Sequence, residues 1–184
     1  CDRELNSVTL LAVTKTHSAD SVAEATRLGL NCFGENKVQE ALRKAETMSD
    51  LSDLRWSVIG HLQTNKAKYV ARFASEFQAL DNLRVAQELD RRLQAEGRGL
   101  DVLVQVNTSR ESSKFGLPPD EVLAFVRQLP AFTSLRVHGL MTLAVFSPDL
   151  ALVRPCFVKL RHLRDQLRQE APDGIDMTDL SMGM

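Results

Sequence analysis

The chain is poor in the features that mark specialised classes of protein. Its three cysteines, Cys1, Cys32 and Cys156, are odd in number and form no CxxC pair. That argues against a disulfide framework or a zinc site, and for a reducing, cytoplasmic setting. The four histidines (His17, His61, His138, His162) stand far apart, without the spacing of metal ligands. Basic and acidic residues nearly cancel, to a formal net charge of −1, so nothing points to nucleic acid or to polybasic membrane attachment. No apolar run approaches the roughly 20 residues that span a bilayer, and no signal-peptide pattern opens the chain, whose start at Cys1 reads as trimmed. The dinucleotide fingerprint GxGxxG and the P-loop motif are absent as well. For 184 residues without a linker or low-complexity stretch, a single domain over 1–184 is expected.

What is present is an alternation of short apolar runs and helical patterns. Leu10-Leu11-Ala12-Val13 runs straight into Thr14, Lys15, Thr16 and His17, the pattern of a strand buried on both faces. Ser18 then caps a helix carrying Val22, Ala25 and Gly29. Further strands are predicted at 31–33, 56–59, 76–80, 102–106, 135–143 and 177–182. Helices are predicted between them, with Val38, Ala41, Leu42 and Ala45 at helical spacing in one, and Gly97 and Gly99 stopping another. Pro118-Pro119 opens a helix carrying Val122, Phe125, Val126 and Leu129. Seven strands alternating with six helices give an α/β chain with a parallel sheet. Two architectures compete, an open doubly wound sheet and a (β/α)₈ TIM-type barrel. Even spacing favours the barrel, and since such barrels need about 200 residues or more, that reading implies that the chain lacks its final α-β-α segment.

In a parallel sheet the carboxyl ends of the strands face one side and share one pocket. Those ends carry Lys15, His17, Glu35, Asn36, His61, Gln63, Asn65, Asp81, Asn82, Asn107, Met141, Thr142 and Ser181. Each also has a plainer reading: Gly34-Glu35-Asn36 as a turn and helix cap, His61 as a loop histidine, Lys114 as a surface charge. A lysine in such a mouth suits Schiff-base formation with an aldehyde or ketone. An ordinary lysine, with a pKa of about 10.4, is neutral only about once in a few thousand molecules at pH 7, and burial or a neighbouring cation raises that fraction. The carbonyl partner could be an aldolase substrate or the aldehyde of pyridoxal 5′-phosphate (PLP). Ser181-Met182-Gly183-Met184, directly after the seventh strand, suits a phosphate, which barrels bind in their last βα loops.

Several motifs together resemble the YggS-type PLP-binding proteins. They are Ala12-Val13-Thr14-Lys15, Phe33-Gly34-Glu35-Asn36-Lys37-Val38-Gln39-Glu40 and Ile59-Gly60-His61-Leu62-Gln63-Thr64-Asn65-Lys66. Asn107 with Glu111, Ser113, Lys114 and Gly116 follows, then His138-Gly139-Leu140-Met141-Thr142, then Leu180-Ser181-Met182-Gly183-Met184. The resemblance runs from about Leu10 to the end. It implies a barrel like the N-terminal domain of alanine racemase, with PLP as an internal aldimine on Lys15. It implies that the segment Ser181–Met184 begins the phosphate cradle, with Ser181, Met182 and Gly183 in contact with the cofactor, and that Asn36, His61 and Met141 also contact it. It further implies a role in PLP homeostasis and supply to apo-enzymes, without strong catalysis, by a protein that is monomeric when complete.

The sequence departs from that family where His17 replaces a usual second lysine and where a first helix before the first strand is missing. It also lacks the Asp-bearing helix, Gly-Ser-Thr turn and Arg-bearing strand expected after the Ser-Met-Gly-Met motif. The rival function is a PLP-dependent amino-acid racemase. Racemisation needs a second acid–base group opposite the lysine, and the only tyrosine, Tyr69, falls within a predicted helix. His61 or Cys32 could substitute.

Overall fold

Polar and apolar residues alternate along most strands, and that period of two decides which face each side chain takes. The strands are β1 (Ala12–Val13), β2 (Cys32–Glu35), β3 (Arg55–Val58), β4 (Glu76–Leu80), β5 (Leu100–Gln105), β6 (Leu135–Leu143) and β7 (Asp179–Gly183). Between them run α1 (Ala19–Arg27), α2 (Val38–Thr47), α3 (Ala67–Phe73), α4 (Leu83–Glu96), α5 (Val122–Val126) and α6 (Leu150–Glu170). This computed structural model describes residue 4, residues 7–109, residue 111 and residues 114–183; Cys1, Ser113 and Met184 lie outside the described residues.

The seven strands lie in the order β1-β2-β3-β4-β5-β6-β7, and every neighbouring pair is parallel. A doubly wound sheet needs a point where the strand order reverses. Here there is none, so each crossover adds the next strand on the same side and the helices share one face. The main core lies between that face and the helices: Phe77, Val102, Val104 and Val137 of the strands meet Val70, Leu89, Leu93 and Leu160 of the helices. A second cluster joins Val22 of α1 to Phe33 and Trp56, whose rings lie 5.8 Å apart.

The opposite face carries Ser57, Glu76, Gln78, Gln105 and Ser181, and it is strongly concave. Ser181 on β7 donates a hydrogen bond to Gln78 Oε1 on β4 at 2.7 Å. In a flat sheet those strands, three spacings apart, would be roughly 14 Å apart. Both side chains therefore project into the hollow of a sheet curved toward a barrel.

Capping fixes several helix ends. Ser18 accepts from Ser21 N, Asn82 Oδ1 accepts from Val85 N, and Gly97 ends α4 in the left-handed conformation at φ 63°. Three expectations need correction. The first strand is two residues long and is not buried on both faces: Leu10 is 69% exposed and Val13 45%. Its position at one end of the sheet order gives it a single neighbour to cover it. The first helix stops at Arg27, before Gly29 with its positive φ. The helix after Pro118-Pro119 covers only Val122–Val126, and Leu129 begins a separate 3₁₀ turn, because Pro130 has no N–H with which to continue the ladder.

Candidate functional site

The hollow of the sheet opens into a cavity of about 1620 Å³. Lys15, Asn36, His61, Met141, Ser181, Met182 and Gly183 all line it, so tertiary folding brings the seven residues singled out in the sequence to one space. Met141 forms a buried wall, whereas Lys15, Asn36 and His61 are exposed at its mouth. Met182 is 42% exposed, and the Ser181 hydroxyl is engaged inward with Gln78. Beneath it Glu76 Oε2 accepts from both Ser57 Oγ and Gln78 Nε2 at 2.6 Å, which gives the cavity a hydrogen-bonded polar floor.

Lys15 lies two residues beyond Val13, past the carboxyl end of β1. Among the described residues its Nζ makes no hydrogen bond or ion pair, so its amine is available to a ligand. The segment that carries it is firmly held. Glu35, fully buried at the end of β2, accepts from the Thr14 hydroxyl at 2.7 Å and from Lys44 Nζ at 2.6 Å, both through Oε1. Lys44 Nζ also donates to the Thr14 carbonyl at 2.7 Å and to Glu40 Oε1 at 2.9 Å. Glu40 Oε1 in turn accepts from the Thr16 backbone N–H at 2.7 Å. Glu35 is therefore neither a turn residue nor a cap. Sequence reading missed the role of Lys44, although the i, i+4 spacing of Glu40 and Lys44 on α2 was the available signal.

Also lining the cavity, His61 stacks on Phe115, with ring centroids 4.1 Å apart and planes 12° from parallel. Asp81 Oδ2 lies 3.9 Å from His61 Nδ1 and accepts from Gly116 N at 3.3 Å, and so ties the Phe115 loop down. Other polar residues at the strand ends serve the scaffold. Asn82 caps α4, Thr142 bonds to the Val106 carbonyl, and Asn107 holds the carbonyls of Glu111 and Lys114. Lys114 is no free surface charge: Nζ donates to the Ala144 carbonyl at 2.7 Å and pairs with Glu111 at 2.6 Å. Among the described residues no group of three or more His, Cys, Asp or Glu could hold a metal ion, and no helix is long and apolar enough to cross a membrane.

The anchoring cluster carries its own pH signature. The Lys44 hydrogen bond holds the Glu40 carboxyl below its ordinary 4.5. Burial works to lower the Lys44 pKa, but hydrogen bonds to Glu35 and Glu40 outweigh it and hold the ammonium above its ordinary 10.5. A depressed carboxylate adds stability that is present above its unfolded pKa and lost as pH falls through the folded one. The raised ammonium adds stability that is present below 10.5 and lost as pH rises through its folded value. The melting-temperature gap between the unaltered chain and Glu40→Gln is thus expected at neutral pH and should close below pH 4.5. A gap constant from pH 7 to pH 3 would contradict the assignment.

The sequence matches the alanine racemase N-terminal domain family over residues 2–182. It is 37% identical over 183 residues to the pyridoxal phosphate homeostasis protein of Pasteurella multocida, covering 99% of this chain and 78% of that one. Among solved structures, PipY of Synechococcus elongatus with PLP bound superposes with a TM-score of 0.88 at 34% identity, covering 96% of this chain and 82% of PipY. Alanine racemase from Streptomyces coelicolor shares the fold alone, with a TM-score of 0.78 at 15% identity over 96% of this chain and 48% of the racemase.

Proposed function

The chain belongs to the pyridoxal phosphate homeostasis proteins of the alanine racemase N-terminal domain family, and from that premise we propose that it binds PLP on Lys15 and serves intracellular PLP supply. The observation that carries this reading is the Lys15 amine, unpartnered among the described residues, at the mouth of the cavity that all seven candidate residues line. The residues fit the group. Lys15 would supply the amine, Met141 would offer an apolar wall to a ring, and Asn36 and His61 edge the opening. The end of β7 at Ser181, Met182 and Gly183 is the proposed seat of the phosphate, with Gly183 allowing close backbone approach. The curved sheet fits seven strands of a (β/α)₈ barrel.

When bound, PLP would supply an electrophilic aldehyde, and Lys15 is the residue whose amine would hold it. The chain's own part is to present the Lys15 Nζ at the cavity mouth, free of other partners among the described residues. Delivery to apo-enzymes in the cytoplasm is the proposed biological role. The racemase reading lacks support in the position of Tyr69, which lies on α3, packed against the main core. Of the two substitutes, His61 is stacked on Phe115, and Cys32 lines the cavity with its thiol donating to Asn31 Oδ1 at 3.4 Å. A carrier leaves the α-proton of alanine unexchanged in deuterated water, whereas a racemase exchanges it.

Borohydride reduction of the PLP-loaded protein followed by peptide mapping is expected to place the pyridoxyl group on Lys15, and Lys15→Ala should lose that adduct. An adduct mainly on Lys66 or Lys114, with Lys15→Ala binding normally, would overturn the proposal.

A further inference from the structure

A reactive lysine is useful only if its amine enters the cavity in a fixed direction, and among the described residues Lys15 has no side-chain partner to set one. The backbone on either side of it is held instead. Thr14 is fixed twice, through its carbonyl to Lys44 Nζ and through its hydroxyl to Glu35. Thr16 is fixed through its N–H to Glu40. Its φ of 68° is one that a β-branched residue adopts only where the surroundings impose it. Both carboxylates converge on the one Lys44 ammonium.

The ammonium is an expensive choice for packing alone. Lys44 is 5% exposed and Glu35 fully buried, with Glu35 Oε2 left without a hydrogen-bond partner among the described residues. Apolar residues of similar volume often serve stability as well or better than such a cluster, whereas a bonded network fixes one geometry. The geometry fixed here is that of residues 14 and 16, the two neighbours of Lys15. Resting on the reading that Lys15 carries PLP, we propose that Lys44 is a positioning residue for Lys15: its ammonium, shared by Glu35, Glu40 and the Thr14 carbonyl, sets the direction in which the Lys15 amine enters the cavity.

The test is Lys44→Met in the full chain, with three readouts: far-UV circular dichroism and melting, the visible band of added PLP, and a borohydride-quench time course of the Lys15 adduct. Folded Lys44→Met is expected to form that adduct at least tenfold more slowly and with a shifted band. Leu89→Ala, which opens a hole in the main core on α4 and touches none of the bonds of the Lys44 cluster, should lower the melting temperature and leave adduct rate and band unchanged. Should Lys44→Met fail to fold, Glu40→Ala removes the Thr16 anchor at a partly exposed side chain and is expected to slow the adduct in the same sense. Wild-type rate and band in either folded variant would overturn the positioning role and leave the PLP reading intact. A wild-type protein that forms no Lys15 adduct would overturn both.

Discussion

Glu35→Ala is expected to destabilise the protein by about 3 kcal/mol, since removing one partner of a buried ion pair strands the other charge. Lys44 would keep Glu40 and the Thr14 carbonyl, but its 2.6 Å bond to Glu35 would be gone, in a site where it is 5% exposed. The Thr14 hydroxyl would lose its acceptor too. For a domain of this size that loss corresponds to roughly 6–12 °C in melting temperature. Glu35→Gln keeps an oxygen toward both donors and should cost less. The double change Glu35→Leu with Lys44→Met removes both charges and should recover much of the loss. Thermal melts of these three variants and of Glu35→Leu and Lys44→Met alone supply the check. If Glu35→Ala melts within 1 °C of the parent, or the double variant is as unstable as the two single changes combined, the pair is not the coupled buried unit that the distances describe.

Gly60→Ala is the second large effect. A Cβ at residue 60 would stand 2.2 Å from the Asn36 carbonyl oxygen and 2.9 Å from Asn36 C and Cα. These are backbone atoms, so no rotamer change relieves the clash, and the turns leaving β2 and β3 must separate. The hydrogen bond from Ile59 N to Glu35 O, 2.9 Å long, lies directly beside the contact. Overpacking of this kind costs about 1–3 kcal/mol. The displacement falls on Asn36 and His61, both at the cavity mouth. PLP binding is therefore expected to weaken more than stability alone explains. Gly97→Ala is the comparison: φ 63° makes alanine costly there, yet nothing lies within 4 Å and the cavity is remote. Melting temperature and PLP titration on both variants separate the two effects. Equal PLP affinity in Gly60→Ala and the parent would show that the β2–β3 contact does not shape the mouth.

Much of the fold was legible because long-period patterns survive without tertiary information. The predicted elements at 67–73, 76–80, 83–96 and 135–143 match α3, β4, α4 and β6, and Ser18 and Gly97 cap as expected. Burial at the end of the sheet was not legible. Leu10 to Val13 has the composition of a central strand, yet with a single neighbour only Ala12 and Val13 pair. The roles of individual polar residues were equally hidden. Asn82, Asn107 and Thr142 stand at strand ends as the cavity residues do, and only hydrogen-bond geometry shows that they hold loops and caps.

By itself the sequence determined that strands and helices alternate, that carboxyl ends of strands carry the polar residues, and that Lys15 heads that set. These follow from periods of two and 3.6 and from the side chains at each boundary. Tertiary structure alone decided between an open sheet with reversal and a sequentially wound, curved one. It also decided that Lys44 reaches across from α2 to the Thr14 carbonyl, thirty residues away in the chain. Local periodicity places a residue on a face. Which distant atoms that face meets depends on sheet curvature and strand order, which only the packed whole fixes.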